Sequence, residues 1–296
     1  MDRLKAMQTF VQIADQGSLT GAARALDSSL PAVVRSLAGL EAHLGVRLFH
    51  RTTRRNALTE EGRHYLQSAR EVLAAADAAD NAMAREAGEP VGRLTVTAPV
   101  MFGHMYVSPA VTRFLQRYEK MRCSVLLQDR KVDLLEEGID VGIRISELED
   151  SSLVAQALGT IRRVVVASPA FLKQHGVPAH PDALRNVDCV HIHPANIGPW
   201  TFRVAGKSLA VQTAGRIEFN HIAPAIEACA AGMGFGSFFS YQVLPHVAQG
   251  RLRIVLEDFE PPPRPVSLIY PHARLMPART RAFVEWMKQE FSGFAL

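Results

Sequence analysis

Cys189, His191 and His193 alternate along a short β-type stretch, which would put a thiol and two imidazoles on one face of a strand. Such a set could begin a transition-metal site, but a fourth ligand and a second ligating motif are missing. Ordinary polar strand residues are the competing reading. Ser168-Pro169 would be a nucleophile only inside a G-x-S-x-G elbow, which the chain lacks, and it suits a helix N-cap better. Gly232-Met233-Gly234-Phe235-Gly236 follows a helical pattern, the reverse of the strand–loop–helix order that cradles a dinucleotide, so a helix stop and tight turn is expected. No constellation is complete enough for catalysis, and the chain is expected to be no enzyme and to need no cofactor.

The better-formed chemistry is electrostatic. Arg51-Thr52-Thr53-Arg54-Arg55 places three guanidinium groups on one short turn, suited to phosphates or to a narrow minor groove. A merely solvated basic turn is the alternative. Residues 1–58 carry eight Lys/Arg against four Asp/Glu, while the other 238 residues carry 25 of each. The whole excess of +4 therefore lies around this turn, as attraction to a nucleic-acid backbone requires.

The elements that must position the arginines are helical. Leu4, Met7, Phe10, Val11 and Ala14 recur at helical spacing up to Gly17. Ser18 can cap a second short helix carrying Ala22, Ala23 and Leu26. Ser29 can cap a third, with Pro31 in its first turn, where the missing N–H costs little. On the third helix Leu30, Val33, Leu37, Leu40 and Leu44 form an apolar stripe, and Gly45 ends it. Two short helices, a polar turn and a basic hairpin outline a helix-turn-helix module.

A long alanine-rich helical pattern follows from Thr59 to about Ala87. Its stripe of Tyr65, Leu66, Ala69, Val72, Leu73, Ala76 and Met83 is too thin for a core of its own, so pairing with a second copy is expected. A solvated connector is the alternative. Gly88 to Gly92 marks a linker. Strand patterns at 93–98, 124–128, 140–145, 163–167, 189–193 and 266–270 then alternate with helical patterns at 103–118, 132–137, 169–174, 222–231 and 278–291. Alternation of this kind predicts mostly parallel sheets covered by helices, in two lobes around a cleft. Cys123, Cys189 and Cys229 are few, odd in number and widely spaced, which suggests neither a disulfide framework nor a zinc ribbon. With no apolar run of signal or membrane length, a cytoplasmic protein without membrane contact is expected.

With these residues assembled, the chain resembles the LysR-type transcriptional regulators over its full length. The resemblance rests on Gly17-Ser18-Leu19, Ala22-Ala23, Pro31-Ala32-Val33, Arg35, Leu48-Phe49, Arg51 and Leu58-Thr59-Glu60-Glu61-Gly62 in the first part. In the second it rests on Thr97-Ala98-Pro99, Glu137-Gly138-Ile139-Asp140-Val141, Arg144, Ala167-Ser168-Pro169 and Gly232-Met233-Gly234. Ala98 to Gly103 and Glu136 to Asp140 are most similar to the CrgA-like subgroup. The resemblance implies an α/β protein with an N-terminal all-α winged helix-turn-helix at 1–58 and a dimerising linker helix at 59–89. A two-lobed effector domain of periplasmic-binding-protein-like fold would occupy 92–296. Lobe I would take about 92–162 plus 268–296, and lobe II about 163–267.

The implied partners are double-stranded promoter DNA, a small-molecule effector, a second copy in a dimer or tetramer, and potentially RNA polymerase. DNA contact would fall to Ser18, Thr20, Ser28, Ser29, Leu30, Pro31, Ala32, Val34, Arg35, Arg51, Thr52, Thr53, Arg54 and Arg55. Val34 stands where these regulators usually carry serine, and Leu30 where a polar residue is common. Valine offers a base only apolar contact, for instance with a thymine methyl, and Leu30 is in phase to pack instead. The effector pocket would lie between the lobes at Pro99, Val100, Met101, Phe102, Gln128, Arg144, Phe219, Asn220 and His221. Its apolar residues and helix N-termini suggest an aromatic or weakly acidic ligand, with Arg144 as its partner or else in a structural ion pair. A ligand-independent or redox-responsive regulator of the same fold is the alternative.

Overall fold

The structure, a computed structural model, describes residues 2–50, 57–83, 89–146, 153–192, 198–271 and 276–295. Its first helices begin and end where side chains can satisfy free backbone groups. Helix α1 (Arg3–Gln16) starts at Asp2, whose carboxylate accepts from Lys5 N at 3.2 Å, and ends at Gly17 in the left-handed region. Ser18 caps α2 (Leu19–Ala25) through Gly21 N at 3.0 Å. Ser29 caps α3 (Leu30–Leu44) through Ala32 N at 3.4 Å, with Pro31 in its first turn. Ala6, Met7, Phe10, Ile13, Ala22, Val33 and Leu40 close a small core among the three helices.

Helix α4 (Glu60–Met83) does not stand apart from that core. Leu66 and Ala69 are buried in it, Tyr65 and Leu73 pack against it, and the Tyr65 ring lies 5.5 Å from that of Phe10. The stripe expected to pair with a second copy is thus largely occupied within the chain for its first three turns. Val72 remains 43% exposed and Ala76 is half-buried, while the side chain of Met83 lies outside the described residues. The physical reason is that a helix leading out of a small three-helix unit supplies apolar area which the unit cannot provide for itself.

From β1 (Gly92–Ala98) the chain runs into a continuous helical stretch, α5 (Val100–Phe102), a π-type turn at Gly103–Val107 and α6 (Ser108–Arg117). Then come β2 (Met121–Leu127), β3 (Val141–Ile145) and β4 (Leu153–Ile161). Lobe II is built from β5 (Arg163–Ala167), α7 (Pro169–His175), β6 (Asp188–Ile192), β7 (Trp200–Val204), β8 (Lys207–Val211) and β9 (Ala214–Phe219). It is completed by α8 (Ile222–Ala230), β10 (Phe235–Phe239), α9 (Ser240–Ala248) and β11 (Arg253–Val255). The chain returns to lobe I through β12 (Arg264–Pro271), α10 (Ala278–Glu290) and β13 (Phe294–Ala295). One sheet has the order β13-β4-β12-β3-β1-β2 and the other β11-β5-β10-β6-β9, with β7–β8 as a separate hairpin.

Several expectations need correction. The sheets are mixed: β12 runs antiparallel to β3 and β4, and β5 antiparallel to β10 and β11. The strands that break the parallel pattern are those that leave or re-enter a lobe, because a direct crossing has no helix to reverse the chain. The return begins at Arg264, so lobe I reclaims the chain a few residues before position 268. Val132–Glu137 is no helix; the Asp133 carboxylate accepts from Leu135 N and Glu136 N and holds a turn instead. Gly232 does follow α8 as a left-handed stop, but Phe235–Phe239 beyond it is a buried strand.

Candidate nucleic-acid interface and effector cleft

Leu30 and Leu37 are seven residues apart and share a helix face, yet only Leu37 packs. Leu30 is 43% and Val34 44% exposed, on the face of α3 turned away from buried Val33 and Leu40. The expectation that Leu30 packs is therefore corrected. Pro31 and Arg35 are exposed beside them and Ala32 is half-buried, so the first two turns present a mainly apolar face with one cation. Ser18, Thr20, Ser28 and Ser29 are exposed along the same end. The capping hydroxyls of Ser18 and Ser29 accept backbone N–H groups and keep their own O–H free to donate. Asp27 holds the turn between α2 and α3 in the left-handed region at φ 48°, which a short carboxylate side chain tolerates better than most.

The segments on either side of residues 51–56 are held by a buried network. Buried Glu41 on α3 accepts from Leu48 N at 2.8 Å and Phe49 N at 3.4 Å, and pairs with Arg47 at 2.9 Å. His50 N donates to Ala57 O at 2.9 Å, and Phe49 bridges to Leu58 antiparallel. Thr59 accepts from Gly62 N at 2.9 Å while donating to Arg47 O at 2.7 Å. Gly62 lies so close to the Leu48 carbonyl that an added Cβ would stand 2.1 Å from its oxygen. Arg51, Thr52, Thr53, Arg54 and Arg55 themselves lie outside the described residues.

Across the cleft, Met101 packs against the cores of both lobes, and in lobe II it joins Phe219 and Ile222. Val100 is exposed and Pro99 half-buried at the head of α5, and Asn220 and His221 are exposed at the head of α8. Phe102 is not a cleft residue: it is fully buried in lobe I, 5.3 Å from Tyr241 and 5.8 Å from Phe291. Gln128 is tied to the end of β1, its N–H to Ala98 O at 3.0 Å and its amide to Thr97 Oγ1 at 3.5 Å.

The two helix heads differ electrostatically. The Asp129 carboxylate accepts from Val100 N at 3.0 Å, so the head of α5 already faces an anion. His221 makes no side-chain cap at the head of α8, which stays open. Arg144 on β3 is half-buried, and its Nη2 has no hydrogen-bond partner among the described residues. Burial lowers its pKa, and Glu137, whose charge acts on it in the opposite sense, is already held by Arg130 at 2.7 and 2.6 Å. The structural ion pair weighed for Arg144 is therefore not formed among the described residues.

His191 is half-buried and Cys189 buried, while His193 lies outside the described residues, so the one-face set cannot be assembled here. Burial pushes the Cys123 thiol up to about 11 and those of Cys189 and Cys229 up to about 12. Ser168 caps α7 through Phe171 N at 3.3 Å, as its sequence context suggests.

One contact had no signal in the sequence. Arg70 on α4 donates to Asp15 Oδ1 at 2.6 Å, to Leu135 O at 3.0 Å and to Glu136 O. It thereby joins α1, the linker helix and the 133–138 turn of lobe I. Gly138 is left-handed at φ 63° there, and a Cβ would stand 2.9 Å from Arg70 Cζ. Only the separate finding that all three segments converge singles this arginine out from the others on the surface.

Residues 4–63 match the family described as bacterial regulatory helix-turn-helix protein, lysR family, and residues 87–292 match the LysR substrate binding domain. The chain is 34% identical to LtrA of Klebsiella pneumoniae, a probable HTH-type transcriptional regulator, with 98% of this chain and 95% of that one covered. It is also 34% identical to an HTH-type transcriptional repressor of Pseudomonas aeruginosa, covering 99% of this chain and 93% of the other. Among solved structures it resembles CrgA, a LysR-type transcriptional regulator from Neisseria meningitidis. The identity is 28% and the TM-score 0.61, over 97% of this chain and 98% of that one.

Proposed function

This chain belongs to the LysR family of transcriptional regulators, with a DNA-binding helix-turn-helix and an effector-binding domain, and from that premise we propose how its residues divide the work. Leu30, Pro31, Val34 and Arg35 meet base edges in the major groove. The hydroxyls of Ser18, Thr20, Ser28 and Ser29 and the 51–55 turn meet phosphates. The observation that carries this reading is the exposed face of the first two turns of α3, where Leu30 and Val34 stay open to water beside the buried Val33. Apolar contact with thymine methyls is the use that fits them.

The effector sits between Val100 and Met101 on one side and Phe219 and His221 on the other. Asp129 at the head of α5 disfavours an anionic group there, so any carboxylate or phenolate turns toward the open head of α8 or toward the Arg144 Nη2, which has no partner among the described residues. The raised thiol pKa values argue for such a ligand over cysteine oxidation, because the reactive form is the thiolate. Ligand binding shifts the lobe arrangement, and the Arg70 junction passes that shift to α1 and α4. Pairing of copies uses the exposed part of α4 around Val72 and Ala76. The regulator works on the nucleoid in the cytoplasm, and RNA polymerase is a partner if regulation is positive.

Base-resolution footprinting of the wild type and Val34→Ser on the intergenic DNA beside the gene tests this reading. The expected result is a change of preferred base at one position in each half-site with total affinity kept within about threefold. An unchanged pattern overturns the assignment of the α3 face.

A further inference from the structure

We propose that Thr9 and Ser36 are positioning residues for DNA recognition: their hydrogen bond fixes the rotation of α3 against α1 and so sets how sharply the protein tells its site from other DNA. The inference rests on the reading above that α3 meets base edges.

Most of the contact between α1 and α3 is apolar and without direction. Ala6, Met7, Phe10 and Ile13 share one small core with Val33 and Leu40, and such a seam tolerates small rotations at little cost. One bond across it does have direction. The Ser36 hydroxyl donates to Thr9 Oγ1 at 3.2 Å, and the Thr9 hydroxyl donates to Lys5 O, one turn back on α1, at 2.8 Å. The single Thr9 proton is thus committed to its own helix, so toward α3 Thr9 can only accept and Ser36 must donate. Thr9 is buried and Ser36 half-buried. No other side-chain hydrogen bond joins α1 to α3 among the described residues. A hydrogen bond weakens steeply with misalignment, so this relay selects one rotation where the apolar seam accepts several.

The place of the bond gives it leverage. Ser36 follows Arg35 and, at about 100° per residue, lies on the far side of the helix from Val34. The face at Leu30, Val34 and Arg35 is therefore aimed from behind. A rotation of about 20° would swing a side-chain tip roughly 5.5 Å from the helix axis by about 2 Å, more than a base contact tolerates. Phosphate contacts made by long basic side chains tolerate it, so the loss falls on discrimination and not on total affinity.

The test measures the affinity of the full chain for the footprinted site and for a shuffled duplex of equal length at one salt concentration. Thr9→Val, which keeps the shape, and Ser36→Ala should each lower the site-to-shuffled ratio about tenfold. Affinity for the shuffled duplex should stay within about twofold, and the N-terminal unfolding transition within about 5 °C. The double variant should lose no more than either single one, because all three lack the same bond. Thr9→Ser, which keeps the hydroxyl, should hold the ratio within about threefold of the wild type. Ser36→Ala acts from a half-buried position and decides alone if Thr9→Val does not fold. An unchanged ratio, losses that multiply in the double variant, or site and shuffled affinities falling together would each overturn the proposal. Val34→Ser separates the two readings. If its footprint is unchanged while Ser36→Ala still lowers the ratio, the assigned face is wrong and the pair stands. A shifted footprint with an unaltered ratio in Ser36→Ala sinks the pair alone.

Discussion

The helix-turn-helix and the effector cleft both hold apolar side chains at a working surface, but they hold them differently. In the first, Val33, Leu37 and Leu40 fix α3 to its neighbours, and Leu30 and Val34 stand bare one or two turns away on the same rigid rod. In the second, Met101 packs against the buried cores of both lobes, so the apolar surface is shared between two bodies. A face on one rod is ready before its partner arrives. A face shared by two lobes changes with their separation, which is what a population shift needs. On the proposed reading, recognition and response in this chain would reside in different kinds of packing.

The largest effect should come from breaking the rigid partner. Phe10 is fully buried, 5.5 Å from the rings of both Phe49 and Tyr65, so Phe10→Ala should destabilise the N-terminal unit by about 3–5 kcal/mol. DNA binding should be lost while the second unfolding transition of the lobes stays in place in calorimetry. A single merged transition would mean that the two regions are not separate. Met101→Ala should be milder, about 2 kcal/mol, and confined to the lobe transition. Its DNA affinity without ligand should match the wild type within about threefold, whereas the ligand-induced change shrinks. An equal loss in both regions would erase the contrast.

Arg70→Ala targets the junction between them. We expect DNA affinity and ligand affinity to stay separately near normal while the coupling between them falls by about 1 kcal/mol, roughly fivefold. A double titration measures this, and unaltered coupling removes Arg70 from the pathway. The smallest effect concerns the thiols. Their raised pKa values mean that the folded state favours the protonated form. The stability this contributes is complete below the unfolded thiol value of about 8.5 and declines as pH rises toward 11–12. Native alkylation at pH 8 should therefore be slow beside that of the unfolded chain, and rapid labelling would reopen the redox reading.

Legibility differed in the same way. Gly17, Ser18, Ser29, Pro31 and Gly45 announce helix ends through chemistry that acts within four residues, and the three N-terminal helices fall where those signals stand. Ser168 does the same for α7. The hairpin β7–β8 escaped because its turn is Ala205-Gly206, with Ala205 at φ 47°, where Asn-Gly would have advertised it. Strand β10 escaped because Phe235-Gly236-Ser237-Phe238-Phe239 is buried on both faces and shows no alternation. Helix α9 escaped because Pro245 interrupts its pattern.

By itself the sequence determined the capped helices, the charge concentrated on the first 58 residues and the family, since caps, charge and short motifs are local properties of neighbouring residues. Only the tertiary structure decided that Leu30 stands bare while Leu37 packs, because helical phase says which way a side chain points but not where the neighbouring helix stops. It alone placed Phe102 in the core, set Asp129 on the head of α5, left the Arg144 Nη2 without a partner among the described residues, and brought Arg70 against Asp15 and the 133–138 turn. Each of those depends on segments tens of residues apart meeting in space, and no local pattern encodes such a meeting.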